Sequence, residues 1–435
     1  MPKFYICTFG CRCNQADSAA IRDSLCQKSL QETADRNDAE LIVINTCTVT
    51  QRADQQARQT TRRLHRDNPS ARIVVTGCYA ERSAEKLAQI EGVSLVLGNA
   101  DKERLAEIIS EESKVRTQGK IIHSPLHLDR DYALFHGPRE GGKTRPFLKI
   151  QDGCDARCSY CIVPSVRGPG RSARPEEVLA GIQSLVDMGF QEIVLTGVHL
   201  GAYGHRFEKR TTLLELLRAA VKIPNLGRLR LSGIEPMRFS RGIIRLATEN
   251  SALAPHFHIP LQSGSDRVLR KMRRPYTAQR YRELLRYIHS VLPDAGLGTD
   301  VLVGFPGESK SDFQATCDLI RELPLTYLHV FPFSAREGSD AYHMRDQVPS
   351  RVARERARIL RVMSREKNYA FRRRFLGQIL SAVTLAKEEE MGTSFALTEN
   401  YIHTRIPSGS CPPNRLIKVR IEEVAEDATY GSLME

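Results

Sequence analysis

The chain has 435 residues, which is enough for two to four domains, and its hydrophobic content of 41% is that of a soluble globular protein. Its 64 lysine and arginine residues outnumber its 51 acidic residues, which favours a phosphate-bearing partner, although charge alone proves no binding. No stretch approaches the roughly 20 apolar residues of a membrane span, and the first residues lack the apolar run of a signal peptide, so we expect a cytoplasmic protein. Eleven cysteines in that compartment indicate metal ligands and free thiols in place of disulfides.

Residues 1–112 alternate short apolar runs with helical patterns, which predicts a doubly wound parallel sheet with helices on both faces. Cys11, Cys47 and Cys78 each follow one of the first three predicted strands, in a loop that leads to a helix. Ligands of open α/β sheets gather at the carboxyl ends of strands, and neighbouring strands lie about 4.8 Å apart, so these thiols are expected to converge. They predict a [4Fe–4S] cluster with one free iron, and the alternative for each is packing as a small hydrophobic residue. The predicted strands are Lys3–Cys7, Leu41–Asn45, Arg72–Thr76 and Ser94–Leu97.

Residues 113–144 form the next segment, which we interpret as a linker because it is rich in turn-forming residues. Its three histidines are predicted to be exposed and to bind no metal. They are His123, His127 and His136. Four cysteines elsewhere in the chain are assigned to packing, namely Cys7, Cys26, Cys317 and Cys411.

Three cysteines with the spacing C-x3-C-x2-C lie in one short loop, at Cys154, Cys158 and Cys161. Three protein ligands are one fewer than a closed tetrahedral site needs, and an open site is typical of catalysis. Soft thiolates select zinc, copper(I) or iron–sulfur clusters, and a [4Fe–4S] cluster on three cysteines leaves one iron free to bind a small molecule. The alternative is a structural zinc knuckle, which needs a fourth ligand nearby, whereas His136 and His199 are distant in sequence.

Residues 145–341 resume the strand–helix alternation, which predicts an open, partial (β/α)6 barrel. The Cys154 loop follows the first of these strands, where the active sites of such barrels lie. Glu235, Gln262 and Ser263 follow later strands and offer polar groups to a ligand, and ordinary turn chemistry is the alternative for them. The predicted strands are Phe147–Ile150, Glu192–Thr196, Arg228–Ser232, Phe257–Leu261, Gly298–Val303 and Tyr327–Phe333.

Residues 342–376 are interpreted as a basic helical connector, in which Arg354, Arg358 and Arg361 recur at helical spacing. This cationic face predicts an anionic partner such as RNA, and a solvated charged helix is the alternative. Residues 377–435 change to short alternating runs with turn residues, which predicts a small antiparallel β-barrel of a nucleic-acid-binding kind. Its predicted strands are Gln378–Leu385, Ser394–Leu397, Tyr401–Arg405 and Leu416–Ile421.

The loop from Gly153 to Cys161, with Tyr160 before the third cysteine, closely resembles the signature of radical S-adenosylmethionine (SAM) enzymes. In that superfamily the free iron binds the methionine part of SAM, whose cleavage gives a 5′-deoxyadenosyl radical. Further segments resemble the methylthiotransferase family, whose members carry two [4Fe–4S] clusters, and residues 392–402 resemble its RNA-binding TRAM domain. The segments are Gly10-Cys11…Asn14-Gln15, Asn45–Thr50 and Thr76–Ala80.

The resemblance covers nearly the whole chain and implies the ligands of both clusters. It implies that the radical cluster is bound by Cys154, Cys158 and Cys161, and that the auxiliary cluster is bound by Cys11, Cys47 and Cys78. In this family the auxiliary cluster receives a methyl group from SAM on its sulfur. The resemblance also raises the expectation that Glu235, Gln262 and Ser263 contact SAM. The family places its first ligand directly after the glycine, which selects Cys11 over Cys13, and Gly10 lets the backbone turn there. Cys13 is then a packing residue, with a sulfur-relay role as the alternative.

Two segments, Asn45–Thr50 and Leu328–Gly338, resemble the branch of the family that acts on N6-threonylcarbamoyladenosine (t6A) at position 37 of tRNA, in the anticodon loop. This implies methylthiolation at C2 of that base, with an electron donor and a sulfur source as further partners. C2 is neither acidic nor activated towards a nucleophile, so radical chemistry is required. The alternatives are the same chemistry on isopentenyladenosine or on a protein aspartate, and a non-catalytic zinc protein that binds RNA.

Overall fold

The computed structural model describes residues 1–111, 119–126, 144–390, 393–409 and 411–434, and the side chains of residues 387–390 lie outside that description. The predicted linker histidines His127 and His136 also fall outside the described residues. No helix among the described residues is both long and apolar enough to cross a membrane. The chain divides into two compact units. The first takes the described residues within Met1–Glu140, Phe147–Ala173 and Ser334–Tyr342, and the second takes those within Gly141–Pro146, Arg174–Phe333 and His343–Glu435.

The first unit begins with alternating strands and helices. In chain order these are β1 (Lys3–Thr8), α1 (Arg12–Gln27), β2 (Gln31–Glu32), β3 (Leu41–Thr46), α2 (Gln51–Asp67), β4 (Arg72–Gly77), α3 (Cys78–Arg82), α4 (Ala84–Ala88), β5 (Val93–Leu97), α5 (Leu105–Glu111) and β6 (Lys120–Ile122). The strands form one parallel sheet in the order β2–β1–β3–β4–β5–β6. The predicted parallel sheet is confirmed, and the short edge strands β2 and β6 are additions to it.

Alternation along β3 shows why helices cover both faces of this sheet. Leu41 and Val43 pack against α1 and α5, whereas Ile42 and Ile44 point to the other side and pack against α2, α3 and α4. Successive side chains of a strand point to opposite faces, so a strand that is apolar throughout requires a hydrophobic layer on each side. The predicted doubly wound arrangement is therefore confirmed.

The first unit also contains a hairpin-like segment made of β7 (Phe147–Asp152), α6 (Val163–Arg167) and β8 (Arg171–Ser172). β8 pairs antiparallel with the end of β7, where Asp152 lies opposite Arg171. The loop between β7 and α6 carries the C-x3-C-x2-C motif. The segment Ser334–Tyr342 contacts this loop, because the Ala341 N–H donates to the Ser159 carbonyl at 2.7 Å.

The second unit continues the strand–helix alternation. Its elements are α7 (Pro175–Asp187), β9 (Glu192–Gly197), α8 (Leu213–Ala220), β10 (Arg228–Leu231), α9 (Arg241–Glu249), β11 (His256–His258), α10 (Asp266–Lys271), α11 (Ala278–Val291), β12 (Gly296–Val303), α12 (Lys310–Glu322) and β13 (Tyr327–Pro332). β9 pairs with β10, and β11, β12 and β13 form a second parallel set. β11 ends three residues before its predicted end, and the backbone turns at Gln262, where φ is +65°. The Ile259 and Leu261 N–H groups still donate to the Gly298 and Asp300 carbonyls of β12.

The C-terminal part of the second unit is a small closed barrel preceded by a long helix. Its elements are α13 (Ser350–Arg373), β14 (Ile379–Glu390), β15 (Thr393–Thr398), β16 (His403–Pro407), β17 (Leu416–Val424) and β18 (Thr429–Met434). The barrel order is β14–β15–β16–β18–β17. The predicted small β-barrel is confirmed, but it has a fifth strand, β18, which closes it through a parallel pairing with β16. Phe371 and Phe375, at the end of α13, pack into the barrel core.

A buried carboxylate joins this barrel to β9 and β10. Glu192 is fully buried and accepts hydrogen bonds from Arg230 Nε at 2.8 Å and Arg228 Nη1 at 3.3 Å. Arg230 also donates to the Thr398 carbonyl at 3.1 Å, and Arg228 donates to Ser381 Oγ at 2.6 Å. Burial alone would raise the pKa of Glu192, but Arg230 and the other arginines lower it to about 2. The Glu192 side chain therefore stays ionised and orients Arg228 and Arg230, which donate to the barrel residues Ser381 and Thr398.

Candidate active site

Cys11, Cys47 and Cys78 lie at one edge of the parallel sheet. Cys11 is the N-cap of α1 after β1, Cys47 follows β3, and Cys78 begins α3 after β4, and these three strands are neighbours. A Cβ added to Gly10, which has φ +98°, would lie 2.9 Å from Cys47 Sγ. Glycine is thus required for the close approach of the first loop to the second. The structure brings the three predicted cysteines together, as their positions after parallel strands suggested.

The thiols of this group differ in their readiness to ionise. A hydrogen bond from Cys13 is the main influence that lowers the pKa of Cys11, to about 5, whereas burial and the neighbouring Cys78 raise the pKa of Cys47 to about 12. The same hydrogen bond and burial hold the pKa of Cys13 well above its usual value. The choice of Cys11 over Cys13 as the ligand stays a prediction.

Asn14 holds the first two cysteine loops together from the first turn of α1. Its Nδ2 donates to the Phe9 carbonyl at 2.7 Å and to the Thr46 carbonyl at 2.9 Å, while Asn45 Nδ2 donates to the Asn14 carbonyl at 2.9 Å. Asn14 Oδ1 lies 4.0 Å from Cys78 Sγ. One buried amide therefore touches the loops of all three cysteines. The sequence motif contained Asn14, but its position in the centre of the group was not predicted.

Five ionisable side chains lie buried beside these loops, and we call them the buried charge network: Asp17, Lys102, Lys149, Asp152 and Arg167. Arg167 donates to Asp152 Oδ1 at 2.7 Å and to Asp17 Oδ2 at 2.9 Å, and Lys149 bonds both carboxylates, at 2.7 Å to Asp152 Oδ2. Burial alone would raise the pKa values of both aspartates, but the three cations lower them, so both are ionised. Sequence reasoning missed this network, although a lysine inside the apolar strand β7 was a signal.

The loop of the C-x3-C-x2-C motif follows directly from this network. Asp152 Oδ1 accepts the N–H of Gly153, at which φ is +70° and an added Cβ would lie 1.9 Å from the Pro169 carbonyl oxygen. Backbone N–H groups point at two of the sulfurs, at 3.4 Å to Cys154 Sγ and 3.5 Å to Cys161 Sγ. Such N–H···S contacts stabilise thiolates and fit the chemistry of iron–sulfur ligands.

Among the described residues, His258, Asp300 and His329 each offer one ligand atom, and these three atoms lie within 4.8 Å of one another.

The two cysteine trios belong to the same compact unit. α6, which follows the C-x3-C-x2-C loop, packs against the third cysteine of the sheet, since Ile162 and Val166 form a buried cluster with Cys78. Asn99 Nδ2 also donates to the Val166 carbonyl at 2.5 Å. One short helix therefore lies against both groups of ligands.

The residues predicted to contact SAM lie in loops of the second unit. Glu235 pairs with Arg274. Gln262 is partly buried and joins the backbone of β12, because its N–H donates to the Asp300 carbonyl at 2.8 Å. Ser263 is fully buried, and its Oγ lies 3.4 Å from Thr316 Oγ1. The contact of these three residues with SAM stays a prediction. The side chains of Gln262 and Glu235 are partly exposed and therefore accessible to a ligand.

A polar row crosses β11, β12 and β13, and it was not predicted from the sequence. His258 Nε2 lies 2.9 Å from Asp300 Oδ1, and His329 Nδ1 lies 3.3 Å from the same oxygen. Tyr327 Oη links His258 Nδ1, at 3.2 Å, to His256 Nε2, at 2.8 Å. The ring of His256 stacks on Tyr401 of the C-terminal barrel at 4.0 Å between centroids. The signal in the sequence was the alternation His256-x-His258 within a strand.

The predicted cationic face of the connector is present on α13. Arg354, Arg358 and Arg361 are exposed, and Arg358 pairs with Glu355 at 2.9 Å. Arg356, on the same helix, is buried instead and bonds Glu308. RNA binding by the exposed arginines stays a prediction.

Comparison with known proteins gives the family. Residues 3–98 match the model described as "Uncharacterized protein family UPF0004", and residues 148–320 match that of the Radical SAM superfamily. The chain is 36% identical to the threonylcarbamoyladenosine tRNA methylthiotransferase MtaB of Aquifex aeolicus (strain VF5), over 95% of this chain and 98% of that one. The chain belongs to the radical SAM methylthiotransferase family. The protein is therefore an enzyme that transfers a methylthio group, and its radical SAM domain implies a [4Fe–4S] cluster and SAM.

Two further comparisons frame this assignment. The chain is 31% identical to the tRNA-2-methylthio-N(6)-dimethylallyladenosine synthase of Zymomonas mobilis subsp. mobilis (strain ATCC 31821 / ZM4 / CP4), over 99% of this chain and 97% of that one. The radical SAM methyltransferase TsrM from Kitasatospora setae shares the fold, with a TM-score of 0.56, 15% identity and coverage of 76% and 75% of the two chains. Membership of an enzyme family argues against the alternative of a non-catalytic zinc protein.

Proposed function

We propose that the methylthiotransferase converts t6A at position 37 of tRNA into its 2-methylthio derivative. The observation that carries this proposal is the full-length similarity to relatives named for threonylcarbamoyladenosine, at 36% identity in Aquifex aeolicus and 34% in Bacillus subtilis (strain 168). In support, the chain has two cysteine trios in one compact unit, which suits a reaction that needs a radical source and a sulfur-carrying centre.

The residues are assigned to two [4Fe–4S] clusters. Cys154, Cys158 and Cys161 hold the first on a loop whose shape is set by Gly153 and by backbone N–H donors to sulfur. When bound, the cluster and SAM would supply a radical able to react at the unactivated C2 position of the base. The auxiliary cluster is assigned to Cys11, Cys47 and Cys78, whose loops Asn14 holds in register.

tRNA is the proposed partner, and the exposed arginines of α13 and the C-terminal barrel are its proposed contacts. The base must leave the anticodon-loop stack to reach a buried site, and unpaired loop nucleotides do so at low cost. An electron donor and a sulfur source are required in addition, and a cytoplasmic location follows from a tRNA substrate.

Mass spectrometry of tRNA nucleosides from cells that lack this gene tests the proposal. We expect the loss of 2-methylthio-t6A together with retained t6A, and recovery of the modified nucleoside when the gene is restored. Loss of 2-methylthio-isopentenyladenosine with unchanged 2-methylthio-t6A would instead assign the chain to the substrate in the name of the Zymomonas relative. Unchanged levels of both would leave the protein-aspartate alternative.

A further inference from the structure

The buried charge network carries more positive than negative charge. Lys102, Lys149 and Arg167 are its cations, and Asp17 and Asp152 are its carboxylates, so the formal charges leave one positive charge over. Each of these side chains is at most 7% exposed. Buried cations are stabilised by nearby negative charge, so a net charge of plus one on these five side chains favours an anionic group beside the network.

Arg167 links the buried charge network to the cysteines of the parallel sheet through Asn14. Its Nη2 donates to Asn14 Oδ1, which lies 4.0 Å from Cys78 Sγ. Lys102, by contrast, is bound to Asp17 at 2.8 Å and to Asn99 at 3.3 Å.

The charge of the expected cofactor matches this excess. An oxidised [4Fe–4S] core with two positive charges on three thiolates has one net negative charge, which equals the network's surplus in magnitude. We propose that Arg167 is a positioning residue for the auxiliary cluster: its guanidinium balances the charge of the cluster on Cys11, Cys47 and Cys78 and raises its reduction potential. This inference rests on the proposed function, because it requires a cluster at those cysteines.

The direction of the effect follows from electrostatics. Reduction adds a second negative charge to the cluster, and a nearby fixed cation stabilises the reduced form more than the oxidised form. Arg167 cannot lose its proton in the physiological range, so its effect is constant with pH. Arg167 also orients Asp152, at the start of the radical loop, through Nη1 and Asn14, between the auxiliary ligands, through Nη2.

The test uses the full chain with Cys154, Cys158 and Cys161 replaced by Ala, so that the auxiliary cluster is the remaining signal. Arg167→Met, Arg167→Lys and Lys102→Met are made in that background and reconstituted anaerobically. Iron content is measured, and the midpoint potential is obtained from a redox titration followed by electron paramagnetic resonance. We expect Arg167→Met to shift the midpoint to a more negative value and Arg167→Lys to shift it less. Lys102→Met should shift it least, because the Lys102 ammonium bonds Asp17 and Asn99 and not Asn14.

A midpoint in Arg167→Met equal to that of the background, or shifted no more than in Lys102→Met, would overturn the proposal. Should Arg167→Met bind no iron, Arg167→Lys decides: recovered iron supports the charge role, and a folded but iron-free Arg167→Lys contradicts it. If the background protein without any Arg167 change binds no iron, then the assignment of a cluster to Cys11, Cys47 and Cys78 is wrong. This failure of the proposed function is distinguishable from a failure of the Arg167 proposal, because it is seen before any Arg167 variant is made.

Discussion

Gly10 shows at the scale of a single residue how backbone freedom supports the auxiliary site. We expect Gly10→Ala to lower the iron content, because the new Cβ would lie 2.7 Å from Cys47 Cβ in a conformation with φ +98°. Gly189→Ala is the matched control, since Gly189 has φ +86° and nothing within 4 Å of the added atom. Both changes carry a backbone penalty of about 1–3 kcal/mol, and only the first should reduce bound iron. Equal iron in both variants would contradict a role for this close approach.

Cys11 and Cys13 make a second comparison at this scale. Cys11→Ser should lose the auxiliary cluster, whereas Cys13→Ser should keep it, because Cys11 follows Gly10 at the N-cap of α1 while Cys13 is buried within the helix. Iron content and methylthiolation activity, measured for each variant separately, decide between them. The reverse pattern would move the ligand to Cys13.

The residues of the site divide into those that a sequence reveals and those that need the fold. Cysteines that directly follow parallel strands can be recognised in the sequence as candidate ligands, because few other roles need a thiol at that position. Lys149 and Arg167 do not, since both bind Asp17, which is far away in the chain. Long-range ion pairs leave no periodic mark in a sequence.

The helix α13 is the element whose role can be tested most directly. Replacing Arg354, Arg358 and Arg361 with Gln should weaken tRNA binding and flatten its salt dependence, by about 0.9 in the log–log slope for each phosphate that the helix no longer binds. The contribution of Arg358 should be the smallest, because Glu355 already pairs with it. Replacing the exposed Arg218, Arg280 and Arg286 of α8 and α11 removes the same charge elsewhere and serves as the control. An equal slope change in both sets would mean that net charge, and not this helix, drives binding.

The junction of β9 and β10 with the C-terminal barrel should respond to acid through Glu192. Its pKa of about 2 lies below the ordinary value of about 4.3, so its stabilising effect is complete above about pH 4.5 and is lost as the pH falls towards 2. The midpoint of thermal unfolding should therefore fall more steeply with acid in wild type than in Glu192→Gln. Glu322→Gln is the control, because Glu322 also pairs with two arginines but at the surface. Parallel pH curves for wild type and Glu192→Gln would count against this account.

Element prediction succeeded where the hydrophobic pattern was strong and failed where pairing partners decide. The apolar runs of β3 and β4 were found to within one residue. β2, β6 and β18 were missed, because short edge strands and a barrel-closing strand depend on a neighbour that the local sequence does not show. The C-terminal barrel was therefore predicted with four strands and has five.

At the scale of the whole molecule, the two cysteine trios should be separable in function. Anaerobically reconstituted protein is expected to hold close to eight irons, and Ala at Cys154, Cys158 and Cys161 should remove half of them and all formation of 5′-deoxyadenosine. Cys47→Ala or Cys78→Ala should abolish methylthiolation and leave SAM cleavage largely intact. Loss of both activities in every variant would show one shared site.

The division of the chain into units has a consequence for how the protein is made. The first unit includes Ser334–Tyr342, where Arg336 is 2% exposed and donates to Thr48 Oγ1 at 2.7 Å. During synthesis at about 5–20 residues per second, Thr48 leaves the ribosome long before Arg336 does. Thr48 and Asp54 therefore lack their contacts with Arg336 until most of the message has been translated. Iron loaded earlier would meet a first unit without Ser334–Tyr342, so cluster insertion is expected only after this segment has been made.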